Sequence, residues 1–542
     1  MVTQKHLRRY LVGFDTRSLP QIFTDCLVIG GGVAGLRAAL EVAQNGGERR
    51  IALVTKSELL ESNSYYAQGG IAAAIDPEDS PEQHAADTLA TGCGLADPEV
   101  VDLVVREAPD RIRELLDWGT PFDRTGDALA LTREGGHSAR RILHASGDAT
   151  GREITQAMAA QVRVNPKILI RERTCVIDLL TGDDGAALGA LLWQAATGLT
   201  VCWARYTLLA TGGAGRLYRE TTNPQTATGD GAAIAYRAGA ELSDLEFVQF
   251  HPTTLYIAGA SRALISETAR GEGGRLVDRN GTAFMRQYHP DGELAPRDVV
   301  ARAIVRQMAA TDSTNVFLDM RHLPRERLYA RFPQIREICA GFDIDIARDL
   351  IPVRPAAHYT IGGVRVDRRG RTSLPRLYAC GEVACTGLHG ANRLGSNSLL
   401  EGLVFGHRAG LDVAARLRGE TAPQQPARMR FSVDLSDRTL LDVTDVRNSL
   451  RAVMWRNVGI ERDERHLRET EEIIEFWQSY VLDKQFEDPD GWSLQNMLTL
   501  ARLMARSALE RSESRGTHFR TDHPDRDDAA WQRHITRVIR PA

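Results

Sequence analysis

A glycine-rich turn close to the N-terminus constrains the fold of this chain more than any other stretch. The apolar or small residues from Cys26 to Ile29 predict a buried strand that runs directly into the turn Gly30-x-Gly32-x-x-Gly35, and helical character follows. In such a unit the glycines permit the tight turn, the approach of a pyrophosphate and the packing of helix on strand. The helix N-terminus adds free N–H groups for phosphate oxygens. The stretch therefore predicts a dinucleotide site in an α/β fold.

A second apolar run, Ile51–Thr55, follows at the spacing expected of the next parallel strand. In NAD-binding proteins an acidic residue near this point binds the ribose. Here the run ends in Thr55 and Lys56, which departs from a simple NAD site. Taken alone, the glycine motif also has a bland explanation, namely a turn in some other α/β protein.

Length and composition limit the class of protein. The 542 residues exceed the roughly 250–300 at which single hydrophobic cores stop growing, so two or three domains are expected. A net charge of −4 argues against a nucleic-acid or anionic-membrane partner. Residues Met1–Tyr10 lack the apolar region of a signal peptide, and no stretch approaches the roughly 20 apolar residues of a membrane span. Seven scattered cysteines without a CxxC pair suit a reducing compartment, so we expect a cytoplasmic protein without metal.

Local signals predict the elements that follow. The loop from Ser62 to Ala74 is rich in small and hydroxyl residues and shows neither helical nor strand periodicity. Two helices are predicted to begin at Pro81 and Pro98, each after a capping residue. The polar, glycine-rich stretch from Thr132 to Ser138 is a candidate site loop. From Ile168 to Ala210, short apolar runs separated by turns predict an antiparallel meander.

Changes in composition along the chain indicate the domain organisation. Residues 245–352 are polar and glycine-rich, whereas the strand-like Tyr378–Glu382 returns to the earlier pattern. We therefore expect a discontinuous cofactor-binding domain over 1–244 and 353–421, interrupted by a substrate domain over 245–352. A Pro/Gln-rich linker is predicted at Gly419–Ala427. Apolar positions at helical spacing then predict a helical bundle within 422–542.

Four cationic or titratable residues stand in loops bounded by glycine or proline. They are His251, Arg297, His358 and Arg393, and together they predict a cationic pocket for a dianion. Arginine suits planar carboxylate recognition, and a hydroxyl such as that of Ser266 adds a donor. Each residue also has a bland explanation: a hydrogen-bonded turn histidine, a surface charge at a helix start, or a strand cap.

A series of short motifs, taken together, carries a resemblance. In chain order these are Gly30-x-Gly-x-x-Gly35, Ala67-Gln-Gly-Gly70, Ala210-Thr-Gly-Gly213, Gly229-Asp-Gly231, Gln249-Phe-His-Pro-Thr253, Arg270-Gly-Glu-Gly273, Pro296-Arg-Asp298, His358-Tyr-Thr360, Gly381-Glu382 and Gly390-Ala-Asn-Arg393. From about Asp25 to its end the chain resembles the flavoprotein family of succinate dehydrogenase and fumarate reductase, and within it the L-aspartate oxidases.

The resemblance implies a Rossmann-like FAD-binding domain, an inserted α+β capping domain and the C-terminal helical bundle. The residues that it implies at the FAD are Gly30, Gly31, Gly32, Val33, Ala34, Gly35, Lys56, Asn63, Ser64, Ala67, Gln68, Gly69, Gly70, Asp230, Glu382, Ser398 and Leu399. At the substrate it implies Gln249, His251, Ser266, Glu267, His358, Arg393 and Ser396, with Arg297 as the proton-transfer residue. A guanidinium is almost always charged, so Arg297 is a better acid or electrostatic support than a base.

The implied reaction is the FAD-dependent oxidation of L-aspartate to iminoaspartate. Electrons then pass to O₂, giving H₂O₂, or to fumarate, giving succinate. The resemblance places this reaction at the first step of NAD biosynthesis through quinolinate, with hand-over of the unstable product to quinolinate synthase.

Two positions distinguish this chain from the respiratory enzymes that it resembles. Asn63 stands where those enzymes have the histidine that carries covalent flavin, so dissociable FAD is expected. Glu134 stands where they have an apolar residue, and a carboxylate there can pair with a substrate ammonium; a solvated loop charge is the alternative. A flavoprotein subunit of fumarate reductase or succinate dehydrogenase, and a flavin-fold binding protein without turnover, remain the rival functions. The Arg-rich tail from Glu513 to Pro524 is expected to be a solvated face without a catalytic role.

Overall fold

The computed structural model describes residues 8–257, 263–420, 424–433 and 441–539. The predictions for residues 1–7 and for part of the linker, residues 421–423, lie outside this range. The helices of the described chain are Val33–Asn45, Pro81–Thr91, Pro98–Asp117, Thr150–Val164, Asp230–Arg237, Glu267–Gly271, Met285–Tyr288, Arg297–Ala310, Arg325–Arg331, Pro333–Ala340, Asn397–Gly419, Val443–Asn457, Glu464–Val481, Pro489–Glu510 and Asp528–Trp531.

A seven-stranded mixed sheet lies at the centre of the cofactor-binding part. Its strands follow one another in the order Cys175–Thr181, Ala187–Gln194, Gly198–Leu209, Gln21–Ile29, Ile51–Val54 and Ile168–Arg171, and Leu377–Ala379 also pairs with Gly198–Leu209. The strand Gln21–Ile29 pairs in parallel with Ile51–Val54, as the glycine motif predicts. The α/β class is thereby confirmed.

The predicted meander is correct in three of its strands and wrong in the first. Strands Cys175–Thr181, Ala187–Gln194 and Gly198–Leu209 are antiparallel neighbours. Ile168–Arg171 instead pairs in parallel with Ile51–Val54 at the far edge of the sheet. Its partner lies more than a hundred residues earlier, so turn signals on either side carry no information about the pairing. The loop Ser62–Ala74 also contains a short strand, Ile71–Ala72.

A second, antiparallel sheet carries several of the predicted substrate residues. Its strand order is Val248–Leu255, Ile351–Thr360, Val316–Asp319 and Arg275–Val277. A separate hydrophobic cluster beside it draws its members from Leu255 to Val353. Smaller sheets pair Ala384–Cys385, Gly363–Arg365, Leu242–Ser243 and Thr536–Arg537; Ile71–Ala72, Ile142–Leu143 and Leu131–Thr132; Phe14–Asp15 with Arg430–Phe431; and Arg124–Thr125 with Ala128–Leu129.

Two helices pack closely across the cofactor-binding part because glycines line their contact. Helix Asn397–Gly419 lies on helix Val33–Asn45. A Cβ at Gly406 would come within 2.6 Å of the carbonyl oxygen of Ala34, and one at Gly410 within 2.6 Å of Cβ of Glu41. Larger side chains at these positions would push the helices apart.

The C-terminal helices form the predicted bundle. Helix Pro489–Glu510 is buried along most of its length and shares a hydrophobic cluster with Ile234 and Tyr218 of the cofactor-binding part. Among the described residues, no helix has both the length and the apolar character needed to cross a bilayer.

The Arg-rich tail is not a solvated face, and that expectation is wrong. Arg511 and Arg515 are fully buried and share the carboxylate of Glu513, and Arg511 also pairs with Glu246 at 2.8 Å. Arg520 is buried against Asp522 and the carbonyl groups that end helix Pro489–Glu510. One of these partners, Glu246, lies 265 residues before Arg511, and local composition cannot indicate such a contact.

Candidate active site

One cavity of about 950 Å³ brings most of the predicted site residues together. Its lining from the cofactor prediction comprises Gly30, Gly31, Gly32, Val33, Ala34, Lys56, Asn63, Ser64, Ala67, Gln68, Gly69, Gly70, Asp230, Glu382, Ser398 and Leu399. From the substrate prediction it contains Glu134, His251, Ser266, Glu267, Arg297, His358, Arg393 and Ser396. Gly35 lies outside the lining because it packs against the backbone of Gly30, and Gln249 lies behind the site arginines.

The first turn of helix Val33–Asn45 opens onto this cavity. Gly30 has φ +118°, and a Cβ there would collide with the carbonyl group of Ala210. The N-cap of this helix is Gly32, which has no side chain to cap the first turn, and Oγ of Ser64 accepts from the N–H of Val33 at 3.2 Å. Gly32, Val33 and Ala34 line the cavity. This arrangement suits a diphosphate.

An ion pair lies along the same cavity. Nζ of Lys56 is 2.7 Å from Oδ2 of Asp230 and also donates to hydroxyl oxygens of Thr228 and Ser493. Burial acts to raise the pKa of Asp230, but the Lys56 ammonium overrides it and holds the pKa below its ordinary value. The carboxylate therefore stays charged and fixes the lysine at the cavity wall.

Asn63 is held by a buried carboxyl group. Its Nδ2 donates to Oε2 of Glu382 at 3.0 Å, and the backbone N–H of Thr360 donates to Oε1 of the same group at 3.0 Å. Burial raises the pKa of Glu382. An asparagine side chain offers no nucleophilic nitrogen at this position.

Two arginines share one acceptor at the substrate end of the cavity. Nη1 of Arg297 and Nη1 of Arg393 donate to Oε1 of Gln249 at 3.2 and 2.9 Å. Arg393 also donates to Ser398 and stacks on the ring of Tyr359, with 4.6 Å between guanidinium carbon and ring centroid. Burial and the charge of Arg297 lower the pKa of Arg393 to about 10, which leaves it a cation at neutral pH.

The two histidines are neutral donors, which corrects the expectation that all four residues supply positive charge. Burial, with help from neighbouring cations, lowers the pKa of His251 and of His358 well below the ordinary value. Nδ1 of His251 lies 3.2 Å from both the backbone N–H and the carbonyl oxygen of Thr253. Nδ1 of His358 lies 3.0 Å from the hydroxyl of Thr222. The charge of the pocket therefore comes from its arginines.

Glu134 is buried among polar partners and is not a solvated loop charge. Ser396 donates to its Oε2 at 2.8 Å and Thr268 to its Oε1 at 3.2 Å. Burial, followed by the nearby charge of Glu267, raises the pKa of Glu134. A carboxyl group in this setting gains from a cationic partner, because the cation would relieve both effects.

Sequence reasoning missed three residues that complete the pocket. Arg270 is buried and lies 3.4 Å from Glu267, which in turn pairs with Arg297, so one carboxylate lies between two guanidinium groups. Thr222 and Thr268 contact His358 and Glu134 as described above. The motif Arg270-Gly-Glu-Gly273 contained a signal for the first residue, whereas nothing in the local sequence marks the two threonines.

Comparison with known proteins was decisive for the family. The profile of the FAD binding domain matches residues 25–399, and that of the fumarate reductase flavoprotein C-term matches residues 447–541. An L-aspartate oxidase of Streptomyces coelicolor is 44% identical over 96% of this chain and 92% of its own length. One from Nostoc is 43% identical over 98% and 96%. The chain belongs to the L-aspartate oxidase family.

Solved structures place this L-aspartate oxidase family member among respiratory flavoproteins in fold. An E. coli quinol fumarate reductase FrdA has a TM-score of 0.88 and 32% identity, covering 96% of this chain and 97% of that one. Mycobacterium smegmatis Sdh1 has a TM-score of 0.81 and 33% identity, over 96% and 94%. The predicted fold class and family are thus confirmed.

FAD is the cofactor of this family member, and the cavity residues fit it. Oε1 of Gln68 is buried in the lining without a hydrogen-bond partner among the described residues, as expected of a group that awaits a ligand donor. The uncapped helix N-terminus and Lys56 suit the diphosphate and its polar surroundings. At Gly69, which lines the cavity, an added Cβ would have only Oε1 of Glu134 within 4 Å, so a flat ring can approach the backbone closely there.

Proposed function

We propose that this protein oxidises L-aspartate to iminoaspartate and passes the electrons to O₂ or to fumarate, as the first step of a route to quinolinate and NAD. The observation that carries the proposal is Glu134, a buried carboxyl group beside a pocket built for two carboxylates. A succinate-specific pocket gains nothing from a buried carboxyl group, whereas an amino dicarboxylate brings the cation that Glu134 lacks.

In this proposal the substrate is held at both ends. One carboxylate binds His251 and the loop of Ser266 and Glu267, in which the backbone and hydroxyl groups are the donors. The other binds His358 and Arg393. The ammonium group pairs with Glu134, and Ser396 holds that carboxylate in place. Clamping both ends orients the Cα hydrogen, which is the main effect required of the protein.

When bound, FAD supplies the hydride acceptor for the Cα hydrogen and the route for electrons to the final acceptor. The substrate ammonium must also lose a proton. Glu134 is placed to take it, because a carboxyl group with a raised pKa is a better proton acceptor than an ordinary glutamate.

Fumarate reduction needs a proton donor, and we assign that role to Arg297. Nε of Arg297 donates to Glu267 at 2.6 Å, so the carboxylate holds the guanidinium in place, and a proton from solvent restores the guanidinium after transfer. Arg270 lies on the other side of Glu267. Arg297 acts as acid in this direction and as electrostatic support in aspartate oxidation.

A fumarate reductase or succinate dehydrogenase flavoprotein subunit is the second candidate, favoured by the likeness to the respiratory structures. Asn63 and Glu134 argue against it. The test is anaerobic mixing of purified holoprotein with L-aspartate and, separately, with succinate, while flavin bleaching and amine release are followed. Bleaching with amine release by aspartate alone supports the proposal. Bleaching by succinate alone would overturn it.

The division into an FAD-binding domain over 1–244 and 353–421, a capping domain over 245–352 and a helical domain over 422–542 remains our proposal. The separate hydrophobic cluster from Leu255 to Val353 supports it. We also propose non-covalent FAD, a cytoplasmic location, which suits seven unpaired cysteines, and hand-over of the product to quinolinate synthase.

A further inference from the structure

The loop Gly516–Phe519, here named the C-terminal clamp, contacts both segments that carry the site arginines. On one side it touches the loop that precedes Arg393, and on the other it touches the helix that begins with Arg297. Neither contact reaches the cavity itself. The clamp belongs to the tail whose arginines are buried, so its position is fixed from the C-terminal side.

The first contact is between the clamp and Ala391. The N–H and the hydroxyl of Thr517 donate to the carbonyl oxygen of Ala391 at 3.0 and 3.1 Å. Gly516 has φ +54°, and a Cβ there would collide with the same carbonyl group. The backbones therefore approach as closely as glycine permits, two residues before Arg393.

The second contact is made by Arg302, one turn along the helix from Arg297. Its Nη1 donates to the carbonyl oxygen of Gly516 at 3.2 Å, and its guanidinium lies 5.2 Å from the ring centroid of Phe519. Its Nη2 pairs with Oδ2 of Asp298 at 2.7 Å. One side chain thus joins the clamp to the residue next to Arg297.

A series of hydrogen bonds at the site connects the two contacts of the clamp with each other. Oδ1 of Asp298 accepts from Nδ2 of Asn392 at 3.0 Å, and Oδ1 of Asn392 accepts from Nε2 of Gln249 at 3.0 Å. The other end of Gln249 holds both Arg297 and Arg393. Every link in this series is a hydrogen bond or ion pair of ordinary length.

We propose that the C-terminal clamp sets the separation of Arg297 and Arg393, and that Arg302, Asp298 and Asn392 are positioning residues for the dicarboxylate. The proposal rests on the proposed function and deepens it. Because Arg393 binds one substrate carboxylate and Arg297 lies beside it on the same Gln249 oxygen, a small change in their separation weakens substrate binding before it affects the cofactor.

The test compares Arg302→Met with the matched control Arg306→Met in the FAD-loaded protein. Arg306 lies one turn further along the same helix, also stacks on Phe519 at 5.3 Å and pairs with Glu461, but contacts neither Asp298 nor Gly516. For Arg302→Met we expect KM for aspartate to rise about tenfold, with kcat changed less than KM. The FAD dissociation constant and the melting temperature should match those of Arg306→Met. Arg302→Lys should recover part of the loss, because the cation beside Asp298 is kept.

Two results would overturn the proposed role of the clamp. One is an Arg302→Met protein whose KM for aspartate equals that of Arg306→Met. The other is an Arg302→Met protein that loses stability or FAD while KM is unchanged, because that pattern describes a structural role only. Thr517→Val supplies a milder variant that should raise KM in the same direction. Aspartate oxidation by the wild type tests the function separately, and succinate dissociation constants from flavin absorbance test the clamp even if aspartate is not oxidised.

Discussion

Arg297 donates from Nε to Oε2 of Glu267 at 2.6 Å, and the two side chains are 9% and 3% exposed. Glu267 also lies 3.4 Å from Arg270, and although burial acts to raise its pKa, the two guanidinium groups hold that pKa below the ordinary value. The ion pair is therefore permanent at neutral pH. It fixes the direction in which the remaining N–H groups of Arg297 point.

Replacing Arg297 by methionine should abolish fumarate reduction while FAD remains bound. The variant keeps most of the stem but has no proton to give, and loss of a general acid costs about 10²–10⁴ in rate. The measurement is fumarate-dependent oxidation of a reduced dye. Arg306→Met provides the control, since Arg306 is distant from Glu267. Retention of most of the wild-type rate would refute the role assigned to Arg297.

Glu134→Gln should shift the preference from aspartate towards succinate. Glutamine keeps the shape and the contact with Ser396 but loses the charge that pairs with an ammonium group, so kcat/KM for aspartate should fall about 100-fold. The value for succinate should stay level or rise. The measurement is steady-state kinetics with both substrates. An equal loss of kcat/KM for aspartate and for succinate would show that Glu134 does not recognise the amino group.

The acid limb of the pH profile for aspartate should come from the same residue. Because burial and Glu267 raise the pKa of Glu134, its carboxylate is available only above that raised value. The rate should therefore rise with pH through a range above that of an ordinary glutamate, and Glu134→Gln should lose this limb. His251 and His358, whose pKa values are lowered, should add no limb between pH 6 and 8. A profile unchanged in Glu134→Gln would assign the limb to another group.

Thr222→Val should weaken dicarboxylate binding through His358. The hydroxyl lies 3.0 Å from Nδ1, and valine of similar shape leaves that ring without its partner. We expect kcat/KM to fall about tenfold, corresponding to one lost hydrogen bond of about 1.4 kcal/mol. Thr222→Ser keeps the hydroxyl and serves as control. Equal loss in both variants would point to packing as the cause.

Gly516→Ala should destabilise the protein more than Gly126→Ala does. Both glycines have positive φ, +54° and +62°, so both variants bear a similar backbone strain of about 1 kcal/mol. At Gly126 an added Cβ meets open space, whereas at Gly516 it meets the carbonyl group of Ala391. Urea unfolding should show an additional loss of about 1–3 kcal/mol at Gly516. Similar unfolding midpoints for the two variants would mean that the backbone of the C-terminal clamp can shift to accommodate the added Cβ.

The features that could be predicted from the sequence are those set by residues close together in the chain. The caps at Ser80 and Asp97 are local, and both accept the backbone N–H bonds that the sequence predicts. The burial of Glu134 depends on Ser396, 262 residues away, and that of Arg511 on Glu246, 265 residues away. No local pattern reports such a partner. Family resemblance supplied the site residues, but their protonation and their hydrogen bonds required the fold.

The glycine contact between helix Asn397–Gly419 and helix Val33–Asn45 links the two ends of the cavity. The first helix begins at the residues around Arg393 and Ser398, and the second begins at the glycine turn. Gly402 and Gly406 let one helix pack directly on Ala34 of the other. The helix pair therefore holds the phosphate-binding end and the reactive end of the cavity at a fixed distance. A larger residue at this helix contact would change that distance. A cofactor of fixed length would then fit only one end of the cavity.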